Sequence, residues 1–313
     1  MRPDDIPVID LAPFRDGSGC QDIADRIGQA CTEIGFFYIA GHGVAGKTIG
    51  EAVDRTKAFF ALPEAEKRAV AVRRDRYRGF IPLAAFSPND GQGARDRYEG
   101  YKVHLDLTPD HPLVRDGVPL YGANVWPAGQ PAFRAAIDRY FDALDALSRT
   151  LLRAFAAALG LPAGTFAGHF AAPLSNLSLL HYPPAPADGA APGIHAHRDT
   201  DAFTILLPDP VGGLEVARRD GAWIAAPVID GTFLVNIGNM MECWTGGRFR
   251  STPHRVVNRT GRERYSIAFF SVPDYGTVVR PLLPETAAEA ATPIPAEIAV
   301  GPFMERLYQT NWA

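Results

Sequence analysis

Short runs of β-favouring residues, each ended by turn residues, fill the chain from residue 176 to about residue 272. Runs of this length and composition predict short strands, here at 177–182, 203–207, 213–216, 232–237, 254–258 and 265–272. Many short strands between Gly- and Pro-rich turns indicate a barrel or a double-sheet jelly roll. The Pro- and Gly-rich segment 183–193 predicts a loop, and Gly212-Gly213 predicts a hairpin turn.

Helical periodicity lies on the N-terminal side of these strands. Apolar residues recur at helical spacing in 23–34, in 47–62 and, most regularly, in 131–159, where Gly160 and Pro162 close the stripe. Short strands are predicted at 6–11 and 36–39, and loops with short strands at 73–131. The predicted fold class is therefore α+β, with a barrel or a double-sheet jelly roll as the core, framed by N-terminal and central helices.

We expect four regions that form one compact unit. They are an N-terminal region (1–130), a supporting helix and its connection (131–173), the jelly-roll core (174–280) and a C-terminal extension (281–313). The low-complexity Ala/Glu/Pro stretch at 284–298 predicts a surface connection before a short final helix.

Composition limits the partners and the compartment. The chain has a net charge of −4 and a pI near 6.1, so it has no general attraction to nucleic acid or anionic membrane. No apolar stretch approaches the roughly 20 residues that span a bilayer. No signal peptide is apparent, and Cys20, Cys31 and Cys243 show no paired spacing, which is typical of a reducing compartment. We expect a cytoplasmic protein without nucleic-acid or membrane partners; the sequence indicates no oligomeric state.

Potential metal ligands are densest between residues 195 and 201. In a strand, alternate residues share a face, so His195, His197, Asp199 and Asp201 could all point the same way. Two imidazoles and one carboxylate on one face of an octahedron suit a non-haem iron(II) oxygenase. His197 and Asp199 could supply two ligands, although periodicity alone leaves His195 and Asp201 open. His254, several predicted strands further on, is the candidate for the third.

Further motifs run along nearly the whole chain. They lie at 6–11, 35–43, 59–63, 181–184, 203–207, 211–216, 236–239, 252–256 and 264–266, with His197-x-Asp199 among them. In this order they resemble the isopenicillin N synthase-like family of 2-oxoglutarate- and iron(II)-dependent dioxygenases. In that family the metal-binding histidine precedes a threonine at a fixed spacing, which here selects His197 ahead of Thr204. The resemblance thus implies a double-stranded β-helix (jelly roll) as the core, framed by N-terminal and central helices. It also implies His197, Asp199 and His254 as the iron ligands.

The resemblance also implies a cosubstrate site. Arg264 and Ser266 match the family's Arg-x-Ser pair, which binds the distal carboxylate of 2-oxoglutarate, and Tyr182 would assist through its hydroxyl. The chemistry agrees, because residues i and i+2 of a strand share a face and a guanidinium fork matches a carboxylate.

The activity that the resemblance implies is that of an oxidoreductase using Fe(II), 2-oxoglutarate and O2. It would release succinate and CO2 and act on a small organic substrate, most often by hydroxylation, with desaturation or cyclisation as further outcomes. Three alternatives stay open. They are a family member that uses no 2-oxoglutarate, a cupin-type metal site that uses His195 and His197 together, and a non-catalytic sensor of a small acid.

Basic and aromatic residues alternate in the irregular part of the N-terminal half. They are Arg76, Arg78, Arg95, Arg97 and Lys102, with Tyr77, Phe80, Tyr98 and Tyr101. Such a mixture fits either a pocket for an acidic or aromatic substrate or a solvated loop.

Overall fold

The computed structural model describes residues 6–74, 76–85, 95–184, 193–284 and 295–310. The helices are α1 (Ala12–Asp16), α2 (Cys20–Glu33), α3 (Gly46–Phe60), α4 (Glu64–Arg68), α5 (Pro112–Arg115), α6 (Pro131–Ala158), α7 (Asn239–Trp244) and α8 (Val300–Thr310), with a 3-10 turn at Ala167–His169. The first strands are β1 (Val8–Asp10), β2 (Phe36–Ala40), β3 (Gly79–Ile81), β4 (Glu99–His104), β5 (Asn176–Tyr182), β6 (Ile194–His197) and β7 (Phe203–Leu207). The later strands are β8 (Leu214–Ala217), β9 (Trp223–Ala225), β10 (Phe233–Ile237), β11 (His254–Val256), β12 (Arg264–Ser271), β13 (Val278–Val279) and β14 (Ile298–Ala299).

Two sheets face each other. The larger has the strand order β1-β2-β10-β7-β12-β5-β4-β3, and the smaller has the order β6-β11-β8-β9. Their inner faces share one apolar cluster, to which the large sheet contributes Tyr38, Leu180 and Leu234 and the small sheet contributes Val216 and Val256. The strands β13 and β14 form a separate pair. The architecture is the predicted α+β jelly roll.

The outer face of the large sheet packs against helices. The strand pairing lines up an apolar row across six strands, formed by Phe37, Val235, Ile205, Phe269, Leu177 and Val103. This row shares a core cluster with the apolar stripes of α2, α3 and α6. Burying a side chain of this size stabilises the fold by roughly 1.5–3 kcal/mol. The outer row therefore anchors the sheet, while the inner face is left to form a site.

The turn between α2 and β2 depends on Gly35. Its φ is +73°, a backbone conformation that L side chains rarely adopt. A Cβ at this position would lie 2.1 Å from the carbonyl oxygen of Arg250. The close approach holds β2 against the segment that precedes β11.

Most predicted elements are present within one or two residues, and several were missed. The loops with short strands predicted at 73–131 contain β3 and β4, whose positions were not predicted, and β9 and α7 had no counterpart among the predictions. Parts of two predicted segments, 183–193 and 284–298, lie outside the described residues. Among the described helices, none is both long and apolar enough to cross a membrane.

A buried ion pair ties β4 to α4 on the outer side. Lys67 Nζ lies 2.7 Å from Glu99 Oε2, and His181 Nδ1 lies 2.7 Å from Glu99 Oε1. Burial opposes ionisation of Glu99, but His181 and Lys67 outweigh it and hold its pKa below the ordinary value of 4.5. A carboxylate with a lowered pKa stabilises the fold above its ordinary pKa, and this contribution is lost as the pH falls through the folded-state pKa.

We expect Glu99→Gln to lower the free energy of unfolding by about 3 kcal/mol, because it leaves the buried ammonium of Lys67 without its main partner. Urea denaturation of the variant and the wild type measures the difference. Glu64→Gln is the matched control, since the Glu64 side chain is 52% exposed and such a pair is worth about 1 kcal/mol or less. Equal losses in the two variants would show that the burial of the Lys67–Glu99 pair has no energetic consequence.

Candidate active site

Three potential metal ligands meet where β6 and β11 pair. His254 stands directly opposite His197 in the antiparallel register, and Asp199 follows two residues after the end of β6. One donor atom from each residue lies within 4.8 Å of the other two. Asp199 Oδ1 is 3.6 Å from His197 Nε2 and 3.7 Å from His254 Nε2. Strand pairing thus brings together residues that are far apart in the sequence.

Backbone carbonyls orient both imidazoles. His197 Nδ1 lies 2.8 Å from the carbonyl oxygen of His195, and His254 Nδ1 lies 3.2 Å from that of Thr252. A carbonyl only accepts hydrogen bonds, so each Nδ1 carries the proton and each Nε2 presents a lone pair. Metal-binding histidines are commonly held in this way. The two Nε2 atoms therefore face Asp199 in the form that binds a metal.

The carboxylate of Asp199 is buried and held from one side. Its Oδ2 accepts hydrogen bonds from the Thr204 hydroxyl and, at 2.7 Å, from Asn236 Nδ2. Burial would raise the pKa of Asp199, but His254, His197 and the Asn236 hydrogen bond outweigh it and hold the pKa far below its usual range. Oδ1 is then left as an ionised donor that faces the two imidazoles.

The two imidazoles differ in basicity. Burial and the neighbouring His197 lower the pKa of His254 to about 4, against the opposing effect of Asp199. Burial also disfavours protonation of His197, but its hydrogen bond and ion pair with Asp199 leave its pKa raised. His254 is therefore neutral at physiological pH, as a metal ligand must be.

The two residues that the sequence left open lie outside this cluster. His195 Nδ1 is 2.7 Å from Asp96 Oδ1, and among the described residues the only metal-competent group is the one formed by His197, Asp199 and His254. Asp201 is buried beside Asp199; burial, and then the charge of Asp199, raise its pKa well above the ordinary value. The cupin-type pairing of His195 with His197 finds no support in this geometry.

A second charged group lies on the inner face of the large sheet. Arg264 is 2% exposed, and its Nη1 donates to Ser266 Oγ at 3.2 Å. Its guanidinium lies 4.6 Å from the ring centre of Tyr182, which stands opposite it on β5. Among the described residues, no carboxylate lies within 4.0 Å of Arg264. A buried guanidinium without a neutralising partner is costly, so the site is suited to an anion.

The two glycines before β8 do not form a hairpin, and one of them binds Arg264. The strands β7 and β8 belong to different sheets, so the hairpin predicted at Gly212-Gly213 is wrong. Both glycines have positive φ, and the carbonyl oxygen of Gly212 accepts a hydrogen bond of 2.6 Å from Arg264 Nε. The chain crosses between the sheets at this point and fixes the guanidinium as it does so.

A cavity of about 170 Å³ opens beside two of the three donors, His197 and Asp199. Tyr77, Tyr98, Tyr101 and Lys102 from the irregular N-terminal half line it, as the pocket hypothesis for that segment predicts. The other wall comes from β5, β6, β12 and α8, with Asn176, Phe270, Met304, Leu307 and Tyr308. The predicted final helix therefore closes a site, a role that its sequence did not indicate.

Sequence reasoning assigned no function to two residues that hold Asp199. Asn236 is the one polar residue in the apolar strand β10, and Thr204 interrupts the apolar strand β7 in the same way. The pairing places them opposite each other. A single buried polar residue in an apolar strand was the available signal, because such a group needs a partner.

Comparison with known proteins agrees with this geometry. A model of the non-haem dioxygenase N-terminal domain, named for morphine synthesis, matches residues 6–129, and the 2OG-Fe(II) oxygenase superfamily model matches residues 173–273. Homoarginine-6-hydroxylase 2-ODD-C23 of Glycine max is 31% identical, with 88% of each chain covered.

Solved structures match over almost the full length. A Neurospora crassa protein, solved as the full-length chain in complex with alpha-KG and thymine, has a TM-score of 0.83 and 25% identity, with 97% of this chain and 96% of that chain covered. A 2OG-Fe(II) oxygenase family protein from Caulobacter crescentus has a TM-score of 0.83 and 31% identity, with 97% and 98% covered. The chain therefore belongs to the 2-oxoglutarate- and Fe(II)-dependent dioxygenases, oxidoreductases that use Fe(II), 2-oxoglutarate and O2.

Proposed function

We propose that His197, Asp199 and His254 bind the iron(II), and that Arg264 and Ser266, assisted by Tyr182, bind the distal carboxylate of 2-oxoglutarate. The enzyme would then oxidise a small organic substrate held in the adjoining cavity, with hydroxylation as the expected outcome. A cytoplasmic location and the lack of nucleic-acid and membrane partners remain predictions from composition.

One observation carries this proposal: three donor atoms converge in the forms that bind a metal. Both histidines turn their Nε2 atoms toward Asp199, because backbone carbonyls accept hydrogen bonds from their Nδ1 atoms, and the carboxylate between them is ionised and turned by Thr204 and Asn236. Two imidazoles and one carboxylate leave the remaining positions of an octahedral ion open, and this donor set is typical of non-haem iron(II) oxygenases. The donor set therefore fits iron(II).

The buried positive charge of Arg264 supports the proposed cosubstrate site. Arg264 supplies a fixed cation, and Ser266 supplies a hydroxyl 3.2 Å from Nη1. The guanidinium is already held by the Gly212 carbonyl at Nε, so it loses little conformational freedom when it binds a carboxylate. A carboxylate on this group neutralises the buried charge and gains charge-assisted hydrogen bonds.

With iron(II) held by His197, Asp199 and His254, and 2-oxoglutarate held by the Arg264 group, the pair would supply the oxidising chemistry. One atom of O2 would enter succinate with release of CO2, and the other would oxidise the substrate. The protein supplies orientation and exclusion of water. Asn236 and Thr204 keep Asp199 Oδ1 directed at the two imidazoles. The aromatic walls and α8 enclose the substrate beside them.

The substrate is expected to be small. The cavity of about 170 Å³ is comparable with the cavity of about 150 Å³ that binds benzene in an engineered protein. A related structure holds thymine, a single-ring molecule, which is consistent with this size.

The proposal is tested by O2 uptake and succinate formation in the iron(II)-reconstituted protein supplied with 2-oxoglutarate, across a panel of single-ring substrates. We expect succinate to form in proportion to the O2 consumed, and to be absent without iron or without O2. If iron binds but 2-oxoglutarate is neither bound nor consumed, the cosubstrate assignment fails. The 2-oxoglutarate-independent oxidase and the small-acid sensor would then become the better interpretations.

A further inference from the structure

Lys102 places a cation inside the cavity. Neither the proposed metal site nor the proposed cosubstrate site uses this cation. It lies on β4 with its side chain on the inner face, between the rings of Phe270 and Tyr77 at 5.1 and 5.7 Å. Its Nζ donates to Asn176 Oδ1 at 3.1 Å. Among the described residues it has no other hydrogen bond, and no carboxylate lies within 4.0 Å of it.

Asn176 adds a second donor at the same place. Its side chain is 3% exposed, and its Oδ1 accepts hydrogen bonds from Lys102 and, at 3.3 Å, from Ser178. Within the described part of the chain, no acceptor lies within hydrogen-bond distance of its Nδ2. The ammonium of Lys102 and the amide of Asn176 thus form a pair of donors, hereafter the Lys102–Asn176 pair.

This pair is too far from Arg264 to share an anion with it. Lys102 stands opposite Ser178 on β5, and Ser178 stands opposite Ala268 on β12, four residues beyond Arg264. Two strand spacings and four residues along a strand separate the Cα atoms of Lys102 and Arg264 by roughly 16 Å. The cavity region therefore has two separate places for anionic groups.

The other basic side chains that line the cavity have partners. Arg198 Nη1 lies 3.5 Å from Glu242 Oε2, and His195 is bound to Asp96. Burial lowers the pKa of Lys102 to about 8, with the charges of Asp199 and Asp201 acting in the opposite direction. Lys102 is therefore mostly charged at neutral pH, and it is the cation in this cavity that a ligand can neutralise.

The neighbouring surface has the same sign of charge. A second cavity, of about 710 Å³, shares the wall formed by Tyr77 and Tyr308, whose stacked rings are 3.9 Å apart. Its cationic lining residues are Arg73, Arg74, Arg76 and Arg78. Its carboxylate, Glu305, accepts a hydrogen bond from Tyr275. A cleft lined mainly by positive charge raises the local concentration of anions.

From these contacts we propose that the Lys102–Asn176 pair binds a carboxylate group of the primary substrate, a molecule of about single-ring size. The inference rests on the proposed function, because it names the substrate class of that same site. The ammonium and the amide hold the carboxylate, while the aromatic walls contact the rest of the molecule. Lys102 is then the residue that selects acids over uncharged analogues.

The test compares each acid with its own amide. The probes are phenylacetate, cinnamate and cyclohexanecarboxylate, each paired with its uncharged primary amide. Their Kd values are measured without O2, from the change that binding causes in the visible absorption of the iron(II)–2-oxoglutarate enzyme. Thermal unfolding midpoints with the same probes are measured on the metal-free protein. The variants are Lys102→Met, Lys102→Arg and, as the matched control, Lys47→Met, whose lysine side chain is 88% exposed.

In the wild type and in Lys47→Met, at least one acid is expected to bind about 10- to 100-fold more tightly than its amide, the range for hydrogen bonds to charged groups. Lys102→Met is expected to remove this difference, Lys102→Arg to retain part of it, and the Kd of 2-oxoglutarate to stay unchanged. Preference for acids that survives in Lys102→Met, or its absence in the wild type, overturns the proposal. The proposal is also overturned if Lys102→Met raises the Kd of 2-oxoglutarate and keeps the preference for acids.

The proposed function and the binding of a carboxylate by the Lys102–Asn176 pair can fail separately. If the wild type develops no absorption change with iron(II) and 2-oxoglutarate, the proposed function fails, while the midpoints of the metal-free protein still report acid preference. If Lys102→Met does not fold, Lys102→Gln takes its place.

Discussion

His197→Ala is expected to lower iron(II) affinity and 2-oxoglutarate-dependent turnover by much more than the roughly 100-fold that loss of a residue supporting a metal ligand costs. The variant loses one of three protein donors. It also removes a neighbour whose hydrogen bond and charge interaction help to hold the pKa of Asp199 low. Iron content after dialysis and the initial rate of succinate formation measure the two effects. Circular dichroism checks that the variant is folded.

The matched control is His195→Ala, two residues away on the same strand. His195 is bound to Asp96 and lies outside the three-donor cluster, so iron binding should stay within a few-fold of the wild type. The carbonyl oxygen that orients His197 belongs to the backbone of residue 195 and is still present in the variant. Loss of iron in His195→Ala, with iron retained in His197→Ala, would favour the cupin-type arrangement and contradict the proposed ligands.

Elements with a strong apolar pattern were predictable from sequence. In α6 an apolar stripe runs the length of the helix, and the strands β5, β7, β10 and β12 are apolar runs between turn residues. In these elements local pattern and tertiary burial agree, so periodicity was sufficient. The pairing of strands into two sheets was not readable from periodicity and entered only through the family resemblance.

The strand β4 shows why strand positions within 73–131 could not be predicted. Its outer side carries Tyr101 and Val103 in the core, whereas its inner side carries Gly100 and Lys102 at the cavity beside the metal site and His104 at the second cavity. The polar and small residues that a cavity needs weaken the apolar pattern that identifies a strand. The same conflict weakens the apolar pattern of β6, which supplies His197 to the site, so only the alternation of its histidines indicated a strand there.

The candidate metal site was predictable to different degrees. Alternation within residues 195–201 suggested a shared face but could not separate His197 from His195, since both satisfy the same period. The pairing of β6 with β11 makes the distinction, because it places His254 opposite His197. Such a contact between distant strands cannot be predicted from the spacing of residues within either strand. The contribution of α8 to the cavity is of the same kind.

Arg264→Met should raise the KM for 2-oxoglutarate by about 10- to 100-fold, equivalent to about 1.4–2.8 kcal/mol. This is the range for charge-assisted hydrogen bonds to a buried carboxylate. The kcat at saturating 2-oxoglutarate should fall less, because the three metal donors do not contact Arg264. Initial rates over a range of 2-oxoglutarate concentrations, at fixed substrate, separate the two parameters. Arg262→Met is the control, since Arg262 is exposed in the connection that precedes β12.

Arg264→Lys distinguishes charge from geometry at this position. A lysine keeps the positive charge but lacks the fork that can donate to Gly212, to Ser266 and to a carboxylate at once. Its KM for 2-oxoglutarate should therefore lie between those of the wild type and Arg264→Met. If neither variant changes this KM and both weaken binding of the primary substrate, Arg264 holds the substrate's own carboxylate. The chain would then resemble the family members that use no 2-oxoglutarate. The proposal that Lys102 binds the substrate's carboxylate would fail as well.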